Sequence, residues 1–159
     1  MTVFDTSYYL ALLEVQGFKY DEEDRARLLK YFWQLTYTRD CPIIYTTIKA
    51  KLVHIHRFLL DITETAIIVD HIDGNRFNTT KINLRPCNNQ ENCMNQKPRF
   101  GRRYKGTMKL PSGNYRARIT VEGKHFHLGV FATELEAAVA YNEAAVIYYG
   151  QFARLNKVK

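Results

Sequence analysis

Long apolar runs are absent from this chain: no stretch approaches the roughly eighteen uninterrupted apolar residues that a membrane helix needs. Nor does the start resemble a secretory leader, since acidic Asp5 stands where such a leader carries lysines. An intracellular location is the expectation. Cysteine is scarce, at three residues, and Cys41, Cys87 and Cys93 show no two-residue spacing of the kind structural zinc sites favour. They read as free thiols, with Cys87 and Cys93 as packing residues. Internal repeats and low-complexity tracts are also missing, and a 46% apolar fraction fits a globular chain of one ordinary domain or two small ones. Acids are scarce in one region only. Residues 98–159 hold eleven Lys or Arg against four Asp or Glu, whereas residues 1–97 hold twelve of each, so the whole net charge of +7 lies in the last part. Cations concentrated in this way suggest a polyanionic partner.

Before residue 97 the pattern is mixed. Residues 8–14 read as a strand, Gln16 and Gly17 as a turn, and Asp21 as the N-cap of a helix to about Tyr31, with Ala26, Leu28, Leu29 and Phe32 as its core stripe. Residues 33–37, 43–48 and 52–56 alternate or are β-branched and predict antiparallel strands, separated by residues 39–42 and 49–51. Ala66 to Val69 is a short apolar strand that runs straight into Asp70 and His71. A polar loop follows, residues 72–82, then a return strand over 83–87. Asn88 with Glu91 has capping-box spacing for a helix to about Gln96. Residues 97–109 hold six basic side chains and no acid, and residues 98–103, broken by Pro98 and Gly101, predict a linker.

Asp70, His71 and Asn92 are the residue types a metal nuclease needs: oxygen ligands for a hard cation and a base to deprotonate water. The run Val69-Asp70-His71-Ile72-Asp73-Gly74-Asn75-Arg76, then Asn83-Leu84-Arg85 and Gln90-Glu91-Asn92, resembles the ββα-metal core of HNH endonucleases. It is most similar to the phage and homing-endonuclease branch in which asparagine replaces the last histidine. The likeness extends upstream through Tyr20-Asp21-Glu22-Glu23-Asp24, Tyr31-Phe32-Trp33 and His54-Ile55-His56-Arg57. It implies that His71 is the general base, that Asn83 braces the loop and orients His71, and that Asp70 and Asn92 hold one Mg²⁺ (or Mn²⁺) per active site. Asn78-Thr79 departs from the family's usual Asp-Asn and puts one loop contact in question. His56 and Arg57 read as structural, with contact to DNA or closure of the site as the alternative.

In the basic region, residues 104–110, 115–121 and 124–130 predict three strands, joined by the turns at 111–114 and 122–123. Thr133 and Glu136 form a second capping box, and Gly150 sits where a helix C-cap belongs. Period-two alternation places Tyr115, Ala117, Ile119, Val121, Phe126, Leu128 and Val130 inward. It places Lys105, Thr107, Lys109, Arg116, Arg118, Thr120, His125 and His127 on an opposite, cationic face suited to a duplex groove. Leu135, Ala138, Tyr141, Ala145 and Tyr148 are the helix positions expected to cover the apolar face. Tyr104-Lys105-Gly106, the stretch from Tyr115 to Ile119, His127-Leu128-Gly129-Val130-Phe131, Glu136 to Tyr141 and Ala153-Arg154-Leu155-Asn156 resemble the plant APETALA-type, ethylene-response-factor DNA-binding domain. That resemblance implies a sheet laid in the major groove.

The sequence therefore predicts an α+β protein. A ββα-metal nuclease domain over residues 1–97 is followed by the linker and by a three-stranded antiparallel sheet packed on one helix over residues 104–159. The expected function is metal-dependent, homing-endonuclease-like hydrolysis of phosphodiester bonds in duplex DNA, with no membrane or small-molecule partner. If the gene is phage-borne, the expected compartment is the cytoplasm of a bacterial host. Two alternatives stay open: a catalytically decayed DNA-binding regulator, and an RNA-binding module using the histidines and tyrosines for stacking.

Overall fold

A computed structural model of the chain describes residues 5–39, 41–99 and 101–158. Asp40, in the expected turn, and Phe100, in the expected linker, lie outside them. The chain is α+β and divides into two compact units, Met1–Asn88 and Asn89–Lys159.

The first unit opens with a helix, α1 (Thr6–Val15), and not with the expected strand. Leu10 and Leu13 are both buried; three residues apart, they share a helix face but would point oppositely from a strand. Asp5 Oδ1 accepts from Ser7 N at 2.9 Å and caps the helix. A 3-10 turn (Glu22–Asp24) then leads into α2 (Arg25–Leu28), shorter than expected. Trp33 Nε1 donates to Leu28 O at 2.9 Å, closing the helix end with an indole where another turn was anticipated. Asp21 stands at the expected N-cap position, but its side chain makes no cap bond and its Oδ2 accepts from Lys81 N at 2.7 Å instead. Leu28 is buried as expected, but Ala26 is exposed.

Strands β1 (Gln34–Thr38), β2 (Cys41–Ile48) and β3 (Lys51–His54) form an antiparallel sheet in that order. The β2–β3 turn uses left-handed backbone at Lys49 (φ 48°) and Ala50 (φ 61°), the twist a two-residue hairpin requires. The third strand stops at His54, because Ile55 and Leu59 bury one turn apart on a short helix, α3 (Ile55–Leu59). Hence His56 is helical. Strands β4 (Ile68–His71) and β5 (Leu84–Cys87) pair antiparallel, with Asp70 opposite Arg85 and His71 opposite Leu84. Val69 and Leu84 anchor this hairpin in the core with Leu10, Leu28, Trp33 and Leu59.

The second unit begins with α4 (Asn89–Met94) and continues through β6 (Thr107–Lys109), β7 (Tyr115–Val121) and β8 (Lys124–Phe131), an antiparallel sheet in chain order. Helix α5 (Glu134–Tyr149) has the expected capping box: Glu136 N donates to Thr133 Oγ1 at 3.2 Å, and Thr133 N to Glu136 Oε2 at 3.0 Å. Its buried stripe is Ala137, Ala138, Tyr141, Ala144, Ala145 and Tyr149. Leu135 and Tyr148, expected inward, are nearly half exposed, since the alanines already bring the helix close to the sheet. Gly106 lies under the Tyr141 ring so closely that a Cβ there would fall 2.0 Å from Cδ2.

Helix α4 is tied to this second sheet. Met94 packs against the core around Ile119 and Tyr141. Lys105 Nζ donates to Met94 O at 2.5 Å and to Cys93 O at 3.2 Å, and Arg154 Nη1 donates to Asn95 O at 3.4 Å. Cations on the last carbonyls of a helix are favourably placed in its dipole. Of the two cysteines expected to pack, Cys87 is buried and Cys93 is exposed.

Candidate functional site

In the first unit, apolar burial carries β4 into the interior as far as Asp70 and His71, which are both buried. A buried carboxylate needs a partner, and Arg85 supplies one from the neighbouring strand: Nη2 and Nε reach Asp70 Oδ2 at 2.7 and 3.0 Å. Sequence reasoning missed Arg85. The signal would have been the register, because pairing His71 with Leu84 puts Asp70 opposite Arg85.

The loop after His71 is bound to Asn83. Ile72 N donates to Asn83 O at 2.9 Å, and Asp73 N donates to Asn83 Oδ1 at 3.0 Å. Asn83 Nδ2 donates to Asp73 Oδ1 at 3.0 Å and to Asn78 O at 2.7 Å. Asp73 is thus a second residue absent from the expected set. Burial alone would raise its pKa, but hydrogen bonds from Asn78, from Asn75 N and from Asn83 hold it below the usual carboxylate value. At the departure from the family pattern, Asn78 Nδ2 still reaches Asp73 Oδ2 at 2.8 Å. Thr79 is buried, with its N and Oγ1 both donating to Lys19 O at 2.8 and 2.7 Å.

Three histidines gather at this end of the unit. The His54 and His56 rings stack at 5.6 Å between centroids, and the His56 ring meets His71 edge-on at 5.5 Å. Burial, followed by the facing His71, pushes His56 down to about 3. Burial and then Arg76 also lower His71 below 6.5, against the opposing pull of Asp70 and Asp73. His71 is therefore a neutral imidazole near pH 7, in the form that accepts a proton. Arg57 is structural: its guanidinium donates to Ile67 O at 2.5 Å and to Glu64 O at 2.6 Å.

Asp70, His71 and Asn83 are brought together within this unit, while Asn92 lies on α4 in the second. Among the described residues no three His, Cys, Asp or Glu side chains converge as a metal cluster.

In the second unit, β7 and β8 place Arg116, Arg118, Thr120, His125 and His127 on one face, as expected. Thr120 Oγ1 and His125 Nδ1 lie 2.8 Å apart. Three residues expected there, Lys105, Thr107 and Lys109, do not join them. Thr107 pairs with inward Ala117, is buried, and donates to Glu134 Oε1 at 3.1 Å, whereas Met108 pairs with Arg116 and shares its face. The parity of β6 is thus the reverse of the expected one, and Lys109 sits at an exposed end opposite Tyr115. Lys105 is engaged with the α4 carbonyls. A register shift at Ala117/Arg118 inverts the end of β8, so Val130 pairs with Arg116 on the basic face and Phe131 with Tyr115.

No family model matches the chain. No solved structure matches it. Over 134 residues the chain is 34% identical to an uncharacterized HNH endonuclease of Acanthamoeba polyphaga mimivirus, an alignment that covers 81% of this chain and 68% of that protein. A stretch of 43 residues is 46% identical to dehydration-responsive element-binding protein 2E of Arabidopsis thaliana, covering 27% of this chain and 18% of that one.

Proposed function

The chain belongs to the HNH endonuclease family, and from that premise we propose that it hydrolyses phosphodiester bonds of duplex DNA in a divalent-metal-dependent, homing-endonuclease-like reaction. The observation that carries this reading is the end of β4, where a neutral, buried imidazole stands beside a buried, arginine-held carboxylate. His71 takes the proton from the attacking water. Its neutral state at pH 7 makes it available for that step, and the His56 ring edge limits where it can turn. Asn83 holds the loop that follows His71, through Ile72 and Asp73. Asp70 and Asn92 are the residues that would hold Mg²⁺ or Mn²⁺, with Asn92 assigned by its resemblance to the family pattern, nine residues after Asn83. When bound, the cation would neutralise charge developing on the phosphate. Arg116, Arg118, Thr120, His125 and His127 engage the duplex, and Lys109 adds charge at the edge of the sheet.

Cleavage of supercoiled plasmid with Mg²⁺ and with EDTA tests the reading. Cutting is expected only with the metal, to be abolished in Asp70→Ala, and to fall at least ~10²-fold in His71→Ala with duplex affinity retained. Cutting that survives chelation, or an unimpaired His71→Ala protein, refutes it.

A further inference from the structure

The second unit contains a cavity of about 380 Å³ at an edge of β7. The last bond from β7 toward the β6 side runs from Arg118 N to Gly106 O at 2.9 Å. Strand alternation turns the N–H and C=O of Thr120 toward the same edge. The carbonyl accepts from Tyr149 Oη at 2.6 Å.

Besides Lys105, which is engaged with the α4 carbonyls, four cations, Lys97, Arg99, Arg102 and Arg118, line the cavity against one carboxylate, Glu122. Among the described residues no ion pair joins any of the four to an acid. Tyr141, only 2% exposed, also lines the cavity, and its hydroxyl has no hydrogen-bond partner among the described residues. A buried donor left unused is costly, and burial keeps this phenol protonated by raising its pKa. Crowded cations without counter-ions, beside spare N–H and O–H donors, match the chemistry of a phosphate. Arg118 and His125 border both this cavity and the hollow on the basic face, so a nucleic-acid strand crossing that face reaches the cavity.

We propose that this cavity is a phosphate subsite that receives a backbone phosphodiester of the duplex lying on the adjoining sheet face. The inference rests on reading the second unit as the DNA binder. It makes Lys97, Arg99 and Arg102, in a stretch the sequence predicts as a linker, part of a binding element of the second unit.

The test is a salt titration of the full chain binding a random-sequence duplex in EDTA, so that no cleavage intervenes. Each neutralised phosphate contributes about 0.9 to the slope of log affinity against log salt, so Arg99→Ala with Arg102→Ala, which empties a subsite for one phosphate, should flatten that slope by up to ~0.9. The paired lysine substitutions should preserve it, because the charge remains. Tyr141→Phe should weaken binding several-fold with little change of slope. A slope unchanged in the alanine pair, while Arg116→Ala, on the sheet face alone, flattens it, overturns the subsite and leaves the sheet face standing. Unchanged slopes and affinities in every variant overturn the reading of the second unit itself, and the subsite with it. Binding that depends on 5′-phosphates on the duplex would put a terminal phosphomonoester in the cavity, against the backbone assignment.

Discussion

Replacing Asn83 by alanine removes one acceptor and two donor bonds from the loop that follows His71, and the size of the loss follows from their partners. The bonds to Asp73 N and to Asn78 O, at 3.0 and 2.7 Å, are neutral and contribute about 1 kcal/mol each. The bond to Asp73 Oδ1, at 3.0 Å, is charge-assisted and contributes about 1.5–3 kcal/mol. The side chain is buried, so water replaces these partners poorly, and a loss of about 3–5 kcal/mol is expected. The chain's one tryptophan, Trp33, is buried in the first unit, so its fluorescence in a urea titration reports this unit by itself. Cleavage should fall at least tenfold in parallel, measured at urea-free conditions where the variant is still folded. A destabilisation below about 1 kcal/mol, with cleavage intact, would refute the argument that Asn83 organises the loop.

Stability of the first unit should also depend on pH through His56. Its folded pKa of about 3 lies below the ordinary 6.5, so the unfolded chain binds the proton more readily. The contribution is complete above about pH 6.5 and declines as pH falls, by roughly 2 kcal/mol at pH 5, and Trp33-monitored urea midpoints should show it. His56→Leu should flatten that dependence; an equal pH dependence in the variant would exclude His56 as its source. In the second unit, Gly106→Ala combines left-handed backbone (φ 79°) with a collision against Tyr141 and should cost about 2–5 kcal/mol. Calorimetry should show the transition of the second unit moving down while Trp33 fluorescence reports an unchanged first unit, and an unmoved profile would contradict the packing described for Gly106.

The parts of the sequence that were legible are those governed by local pattern. The β4–loop–β5 order is one: apolar burial ends abruptly at Asp70 and His71, and Asn83 follows after a polar loop. The α5 capping box and the β7 alternation are others, because each depends on residues only a few positions apart. What was lost depended on distant partners. The leucine-rich segment over residues 8–14 fits a strand until Leu10 and Leu13 are seen to bury together, and α2 stops early because an indole five residues on takes its carbonyl. Parity failed at β6 and at the end of β8 because alternation is counted from a register, and a bulge or a left-handed glycine resets the count. Arg85 escaped for the same reason: its partnership with Asp70 exists only across a strand pair. The roles of Asn92 and of the basic residues came from family resemblance, since nothing local distinguishes a ligand from a solvated amide or a reader from a solvated cation.

The clasp of Lys105 on the carbonyls of Cys93 and Met94 bears on how such proteins could be recombined. A crossover placed at residue 97, where the basic stretch begins, would hand a new partner domain the sheet while leaving α4 behind, stripped of the ammonium and of the apolar seat for Met94. A junction at Asn88 and Asn89 keeps helix and sheet as one heritable module. An exchange at that junction would then transfer Asn92 along with the basic sheet face, so ancestry traced through the helix should follow the sheet and not the strand pair that carries His71.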